Sequence, residues 1–309
     1  MSQTYRSNPL PTLSFEFFPP RESDGVAKLL HGTVAKLAAF DPDYCSVTYG
    51  AGGSTRQGTQ NLVGALLEAQ IKAVPHLSIG GSTDAALLEL VEHYRNIGVT
   101  KILCLRGDQP SGDASRPIYA KDLVERLQQH YPKHFELTVA AYPEVHPDAS
   151  CAANDMIHFS AKVTAGASSA ITQYFYNPDA YGFFLDRCAK AGLTIPVTAG
   201  IMPITNVEAL QRFSAKAGAD IPRWLAKSMA IYASDEKGLI DYGVEVVTKL
   251  CERLLEIGAP GLHFYTLNRW GASRGSCRKL GFLERRFVTP EPFFLRRDAL
   301  PRRYSSARC

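Results

Sequence analysis

Short apolar runs with the residue types of β-strands recur along the chain, and nearly every run ends in a polar residue. The eight runs cover residues 13–17, 44–50, 73–79, 101–108, 136–142, 169–175, 195–201 and 261–269. Amphipathic segments separate them, and in 236–257 apolar residues recur at helical spacing. Eight strands alternating with helices predict an α/β fold, a closed (β/α)8 TIM barrel.

The polar ends of these runs are predicted to share one surface. In a (β/α)8 barrel, the carboxyl ends of the strands face the active site. The residues concerned are Glu16, Thr48, His76, Arg106 with Asp108, Tyr142, Gln173, and Asn268 with Arg269.

The intervening segments predict individual helices. We expect Asp84 to cap a helix over 85–97 and Gly98 to end it. The long interval before the last strand predicts an additional helix over 221–232. Nothing there has the composition of a domain linker. We therefore expect one catalytic domain, residues 1–284, followed by an Arg-rich extension, residues 285–309.

Composition narrows the class of protein. The chain has 309 residues with an apolar content of 45%, enough for a sizeable core. It has no apolar stretch of membrane-spanning length, and its first residues lack a secretory h-region. The seven cysteines form no CxxC pair, which favours a reducing compartment, the cytoplasm, and argues against a zinc site. We predict no metal.

The net charge of +4 is concentrated in the extension. Residues 285–309 carry a net charge of +5, so the rest of the chain is close to neutral. A near-neutral body is not typical of a nucleic-acid-binding domain. Two interpretations of the extension are open. It is either a solvated segment or a surface that contacts RNA, an anionic membrane or a partner. We predict neither a nucleic-acid nor a membrane partner for the protein.

Glu16 is the first candidate for chemistry. It is the one charged residue between Leu13 and Pro20. Desolvation raises the pKa of a carboxyl group, which suits a general acid. The alternative is a structural glutamate paired with a basic residue of the barrel floor.

Arg106, Gly107 and Asp108 form the predicted turn after the fourth strand. Arginine suits a phosphate or pyrophosphate, and glycine lets the backbone approach a ligand. The alternative is a tight loop with a local ion pair. The glycine-rich segment 50–55 lacks the GxGxxG and Walker patterns, so it is only a weak anion-binding candidate.

Other polar residues fit a cofactor or a heterocycle. Tyr142, Glu144 and His146 lie in a proline-bounded run, where an aromatic and an imidazole lining a cofactor is favoured over a metal site. His76 is equally consistent with a ligand and with a core histidine. Gln173 is placed to hydrogen-bond a heterocycle, or to be a polar core residue.

Together these segments resemble the bacterial type of 5,10-methylenetetrahydrofolate reductase. The resemblance rests on FEFFPPR, SVTYGAGG, PHL, LRGD, Tyr119 with Ala120, AAYPEVHP, ITQYF, GIMPITN and HFYTLNR, which occur in the family's order between residues 15 and 269. It implies a (β/α)8 barrel with noncovalent FAD at the carboxyl ends of the strands. It also implies NADH or NADPH as co-substrate, reduction of 5,10-methylenetetrahydrofolate to 5-methyltetrahydrofolate by a ping-pong mechanism, and a homo-oligomer that supplies methyl groups for methionine synthesis.

The resemblance also implies residue roles. Glu16 is the general acid that protonates the folate, and Asp108 is the second catalytic residue. Gln173, Phe213 and Arg269 bind substrate. The FAD-binding positions are Thr48, Tyr49, Ala51, His76, Arg106, Gly107, Asp108, Tyr119, Ala120, Tyr142, His146, Asp155, His158 and Lys162.

Two positions depart from the family pattern, since His158 and Ala161 stand where asparagine and arginine are expected. Both positions concern the adenosine and pyrophosphate half of FAD, so weaker FAD retention is expected. The absence of an adjacent arginine cluster favours NADH over NADPH. Two other functions are kept as alternatives: a flavin-free barrel lyase or aldolase, and a non-enzymatic folate- or FAD-binding protein that recruits a partner through the extension.

Overall fold

The fold is taken from a computed structural model of the chain. It describes residues 11–22, 24–49, 56–78, 83–107, 119–232 and 234–285. The predicted extension lies outside these ranges except for Arg285, which forms an ion pair of 2.7 Å with Asp41.

Eight parallel strands close into a barrel in which each strand pairs with its neighbours in sequence, and the last pairs with the first. The (β/α)8 prediction is confirmed. The strands are β1 (Thr12–Phe17), β2 (Tyr44–Val47), β3 (Ala73–Ser78), β4 (Lys101–Leu105), β5 (Glu136–Ala141), β6 (Ser169–Thr172), β7 (Val197–Ile201) and β8 (Gly261–Tyr265).

Helices cover the outside of the barrel. They are α1 (Gly25–Leu29) and α2 (Ala35–Ala38), joined by the π-helical turn Leu30–Val34, then α3 (Arg56–Glu68), α4 (Asp84–Asn96), α5 (Ala120–His130), α6 (Ala152–Thr164), α7 (Pro178–Lys190), α8 (Val207–Ala217), α9 (Arg223–Ile231), α10 (Glu236–Ile257) and α11 (Gly271–Lys279).

Most predicted elements are confirmed, including the additional helix α9 and the end of α4 before Gly98. The predicted cap of α4 was wrong by one residue. The cap is Thr83, whose hydroxyl accepts a hydrogen bond from the backbone N–H of Ala86. Asp84 occupies the first helical turn instead, where a carboxylate favours the positive end of the helix dipole.

Apolar side chains fall into two separate layers. The large cluster fills the space between the barrel and the helices, with Phe15, Phe17 and Phe264 fully buried. A much smaller cluster contains Tyr44, Val74, Leu103 and Ile171. Alternation along the strands places this second cluster inside the barrel. Much of the remaining interior surface is polar.

The strand register defines two rows inside the barrel. In the lower row, Ser14 of β1 lies opposite Tyr44 of β2 and His263 of β8. In the upper row, Glu16 lies opposite Ser46 and Tyr265. Glu16 is thus held one layer above Ser14, close to the carboxyl end of its strand.

The loops after β1 and β8 are joined by Asn268. Its Oδ1 accepts a hydrogen bond from the N–H of Phe18 at 2.9 Å, and its Nδ2 donates one to the Phe18 carbonyl at 2.9 Å. Asn268 was predicted at the polar surface of the strand ends, and these contacts give it a structural role. None of the described helices is both long enough and apolar enough to cross a membrane.

Candidate active site

Glu16 is buried at the carboxyl end of β1, with 6% of its surface exposed. Its Oε2 atom lies 3.4 Å from Nε2 of His76 on β3 and 3.9 Å from Nε2 of His263 on β8. The predicted alternative, pairing with an arginine or lysine of the barrel floor, is not seen among the described residues, where the ion-pair partners of Glu16 are these two imidazoles.

Burial sets the protonation states in this cluster. Desolvation raises the pKa of Glu16, and the opposing effect of His76 is smaller. Desolvation lowers the pKa of His76 to about 4 and that of His263 to about 3. Burial therefore favours the neutral forms of both the carboxyl group and the imidazoles. This arrangement can donate a proton.

A hydroxyl network lies beneath Glu16. The Ser14 hydroxyl is 2.7 Å from Nδ1 of His263, and the Ser46 hydroxyl is 3.5 Å from its Nε2. Ser14 lies opposite Tyr44 in the strand register, and its effect on the pKa of the Tyr44 phenol is smaller than the opposing effect of burial. Sequence reasoning did not assign these residues, although their alternation with Leu13 and Cys45 was a signal that they face inward.

Tyr265 was also not predicted as a site residue. It lies beside Glu16 in the upper row of the barrel interior, on β8. Its hydroxyl donates a hydrogen bond of 2.7 Å to the carbonyl of Thr172. A Cβ atom at Gly200 would overlap that carbonyl and would lie 2.8 Å from the Tyr265 ring. Glycine at position 200 is therefore required for Tyr265 to occupy this place.

A second polar cluster joins the ends of β4 and β5. The rings of Tyr142 and His146 meet edge to face, with centroids 4.4 Å apart. Nδ1 of His146 accepts a hydrogen bond from the N–H of Asp148, whose carboxylate forms a 2.8 Å ion pair with Arg106. Both partners of this ion pair are exposed, so the pair contributes little to stability, and the guanidinium can exchange its partner for an anion.

Lys162 of α6 lies behind this cluster. Its Nζ donates a hydrogen bond of 2.6 Å to the carbonyl of Ala140. Desolvation lowers its pKa to about 8, and Asp155 partly opposes that shift. Asp155 in turn accepts a hydrogen bond from the N–H of His146. Nζ of Lys162 also lies 5.4 Å from the centroid of the Phe159 ring, and its charge is close enough to His146 to lower the pKa of that imidazole.

Two buried polar atoms near Glu16 lack a hydrogen-bond partner within the described part of the chain. They are Oγ1 of Thr48 and Nε2 of His76. Nε2 of His76 approaches Glu16 without forming a hydrogen bond. Tyr49 follows Thr48 and is partly buried. Because a buried polar group without a partner is costly, both atoms are available to a polar partner.

Gly107 allows close approach of the backbone after β4. Its φ is +77°, and a Cβ atom there would lie 2.7 Å from the side chain of Ser78. At the start of α5, Tyr119 precedes Ala120, and its ring is 6.2 Å from that of His158, with 19° between the ring planes. Two predicted FAD-binding residues, Tyr119 and His158, are thus adjacent.

The predicted substrate residues are less closely connected. Oε1 of Gln173 accepts a hydrogen bond from the N–H of Tyr174, whose hydroxyl is 3.0 Å from Ser214. Ser214 neighbours Phe213, which is 43% exposed. Arg269 is exposed in the loop after β8. The structure brings Phe213 and Arg269 to the surface, and their roles stay predictions.

Two predicted residues, Asp108 and Ala51, lie outside the described residues, as does the glycine-rich segment 50–55. Within the described ranges, no three His, Cys, Asp or Glu side chains are grouped so that they could hold a metal ion.

Comparison with known proteins assigns the family. Residues 2–281 match the family model described as methylenetetrahydrofolate reductase. The 5,10-methylenetetrahydrofolate reductase of Escherichia coli (strain K12) is 36% identical over 270 residues, which cover 87% of this chain and 90% of that protein. Methylenetetrahydrofolate reductase (NADH) 1 of Zea mays is 31% identical over 287 residues, covering 88% of this chain and 48% of that protein.

A solved structure shows the same fold at low sequence identity. It is an uncharacterized protein from Clostridium thermocellum that binds two copies of 5-methyl-5,6,7,8-tetrahydrofolic acid. The TM-score is 0.63 at 17% identity, covering 87% of this chain and 94% of that one. The family match and the bacterial relatives together show that this chain belongs to the methylenetetrahydrofolate reductase family.

Proposed function

We propose that this protein reduces 5,10-methylenetetrahydrofolate to 5-methyltetrahydrofolate, with FAD as cofactor and a nicotinamide nucleotide as co-substrate. The observation that carries the proposal is the buried Glu16 carboxyl at the catalytic end of the barrel, whose pKa is raised by desolvation. The family assignment supports the substrate, because the relatives are named for it.

Glu16 acts as the general acid. The folate must open its five-membered ring before it can accept a hydride, and a proton delivered to its N10 atom assists that opening. A carboxyl group whose pKa is raised by burial holds its proton to higher pH than an ordinary glutamate does, and it can deliver this proton. The neutral imidazoles of His76 and His263 leave the proton on Glu16, since neither competes for it strongly.

The residues present fit FAD. The unpartnered Oγ1 of Thr48 and Nε2 of His76 are available to polar atoms of a ligand at the end of β2 and β3. Arg106 and Lys162 supply positive charge for a pyrophosphate, and Gly107 lets the backbone approach.

The remaining contacts follow the sequence prediction. Tyr142 would contact the flavin, and His158 would lie near the adenosine and pyrophosphate half. The other predicted FAD-binding residues would be Tyr49, Tyr119, Ala120, His146 and Asp155. Bound FAD supplies the hydride-transfer chemistry between the nicotinamide and the folate. The protein positions both substrates and controls the proton at Glu16.

Gln173, Phe213 and Arg269 would bind the substrate above this site, with Asp108 as the second catalytic residue. The substrates take turns in one site, which is the basis of the proposed ping-pong mechanism. We propose NADH as the preferred nucleotide and a cytoplasmic homo-oligomer. Free thiols at all six described cysteines support a reducing compartment.

The test begins with purified protein reconstituted with FAD. We expect it to bind FAD, to lose the absorbance of oxidised flavin when NADH is added without oxygen, and to regain it when 5,10-methylenetetrahydrofolate follows. The same titration with NADPH tests nucleotide preference. A folded protein that takes up no FAD would disprove the proposal.

A further inference from the structure

A cavity of about 380 Å³ lies at the end of the barrel opposite the carboxyl ends of the strands. It is lined by residues at the amino-terminal ends of the strands, including Thr12, Tyr44, Lys101, Glu136, Ser169 and Thr198. Glu136 is exposed at its rim. The proposed reaction makes no use of this floor cavity.

Tyr44 connects the floor cavity to the barrel interior. It lines the cavity, yet only 8% of its surface is exposed. Nζ of Lys101 lies 4.8 Å from the centroid of the Tyr44 ring, and Tyr44 lies opposite Ser14 in the strand register. Desolvation raises the pKa of Tyr44 to about 12, so the phenol keeps its proton and can both donate and accept hydrogen bonds.

The polar path continues upward from Ser14. Its hydroxyl lies 2.7 Å from Nδ1 of His263, and Nε2 of the same ring lies 3.9 Å from Oε2 of Glu16. A neutral imidazole has one donor and one acceptor nitrogen. With the proton on Nε2, His263 accepts from Ser14, and its N–H lies 3.5 Å from the Ser46 hydroxyl and 3.9 Å from Glu16. The 3.9 Å gap is a distance that one bridging water or a small ring movement closes.

We propose that the floor cavity is the proton entrance of the enzyme, and that Tyr44 passes protons through Ser14 and His263 to Glu16. This inference rests on the proposed function, in which Glu16 gives its proton to the folate. The substrate then occupies the open end of the barrel. A route from the opposite end lets Glu16 regain its proton while the catalytic mouth is still covered.

The transfer conserves protons and involves no redox change. A water in the floor cavity gives a proton to the Tyr44 oxygen while the phenol proton moves to Ser14. The Ser14 proton moves to Nδ1 of His263, and the Nε2 proton moves to the Glu16 carboxylate. The cavity water is left as hydroxide, which bulk solvent neutralises. His263 now carries its proton on Nδ1, and its starting tautomer returns when a water takes that proton and gives one to Nε2, with no net change in protons.

The test compares Tyr44→Phe with wild type, both loaded with FAD. We expect an unchanged first turnover of pre-reduced enzyme with 5,10-methylenetetrahydrofolate, because Glu16 already holds its proton. In steady state we expect kcat to fall at least about five-fold and the solvent deuterium isotope effect on kcat to rise. Thr198→Val, which changes the same cavity away from the path, should leave both quantities unchanged.

A readout independent of turnover is the exchange of the Glu16 proton. Infrared spectroscopy follows the carboxylic acid band after transfer to D2O, with Glu16→Gln identifying the band. We expect exchange to be slower in Tyr44→Phe than in Thr198→Val. If Tyr44→Phe lowers the melting temperature more than the control does, Ser14→Ala is used in its place. That variant interrupts the same path one residue further along.

The outcomes separate the two claims. Wild-type protein that binds no FAD would contradict the proposed function itself. Active wild type together with unchanged kcat, isotope effect and exchange rate in Tyr44→Phe would overturn the floor route and leave the proposed function standing.

Discussion

Nε2 of His76 lies 3.4 Å from Oε2 of Glu16, although neither side chain is more than 8% exposed. A buried ion pair would require two charges to be taken out of water. Here desolvation instead raises the pKa of the carboxyl and lowers that of the imidazole, so burial favours the neutral form of each group. The pair keeps an acidic proton at the catalytic end of the barrel without a compensating charge.

Replacing Glu16 tests this arrangement directly. Glu16→Gln keeps the side-chain shape and removes the acid. We expect reduction of the flavin by NADH to proceed at close to the wild-type rate, while folate reduction slows by about 10² to 10⁴-fold. Stopped-flow absorbance measures the two half-reactions separately. Glu92→Gln, at an exposed ion pair on α4, is the matched control. Equal losses in both half-reactions would contradict the acid role.

The lowered pKa of His76 predicts a pH-dependent stability. The unfolded state takes up a proton near pH 6.5, whereas the folded state resists it until about pH 4. The unfolded state therefore binds more protons between these values, and the contribution of His76 to stability is lost as pH falls through this window. Between pH 7 and pH 5 this loss is about 2 kcal/mol.

Urea unfolding of flavin-free protein at several pH values measures this effect. We expect His76→Asn to reduce the loss of unfolding free energy between pH 7 and pH 5 by about that 2 kcal/mol. An identical pH profile in the variant and in wild type would show that His76 does not titrate as its burial implies.

We expect the charge of Lys162 to strengthen FAD binding. A charge-assisted hydrogen bond contributes about 1.5 to 3 kcal/mol, so Lys162→Met should weaken FAD binding by roughly ten- to a hundred-fold. Because the pKa of Lys162 is lowered to about 8, wild-type affinity should also decline as pH rises through that value, and the variant should lack this decline. Quenching of flavin fluorescence measures both. Lys121→Met, on the neighbouring helix α5, should bind FAD as wild type does.

We expect two separate contributions of Asn268 to stability, one from its hydrogen bonds and one from its backbone conformation. It makes two hydrogen bonds to Phe18 and has a φ of +57°, a conformation that few residues adopt easily. Asn268→Gly removes the hydrogen bonds and should lower the free energy of unfolding by about 2 kcal/mol. Asn268→Ala removes the same hydrogen bonds and adds about 1 kcal/mol of backbone strain, so it should be the less stable variant. Thermal or urea unfolding measures both. Equal stability of the two variants would rule out the backbone contribution.

The sequence was sufficient for the barrel and for the residues at its strand ends. Glu16 and His76 were predicted to share one surface for two reasons. Side chains alternate along a strand, and the carboxyl ends of barrel strands face the active site. Neither reason requires knowing which strands are neighbours. The cap of α4 was misplaced because Thr83 and Asp84 are both good capping residues. Backbone geometry, which the sequence does not show, decides between them.

The interior network could not be predicted in the same way. Ser14, Tyr44 and His263 share a row only because of the register between three strands that are far apart in sequence. Their roles depend on which residues face each other across the barrel. Likewise, Asn268 looked like a site residue because it is polar and follows a strand, whereas its hydrogen bonds to Phe18 depend on how the barrel closes.

The separation of the two apolar layers has a consequence for protein engineering. Most of the apolar burial lies between the barrel and its helices, while Glu16 and its partners lie inside the barrel. Substitutions such as Leu62→Ala or Val91→Ala, at fully buried positions of the outer layer, should change the melting temperature and leave the acidity of Glu16 unaltered. Heat resistance and catalytic pH range can therefore be adjusted independently in this protein.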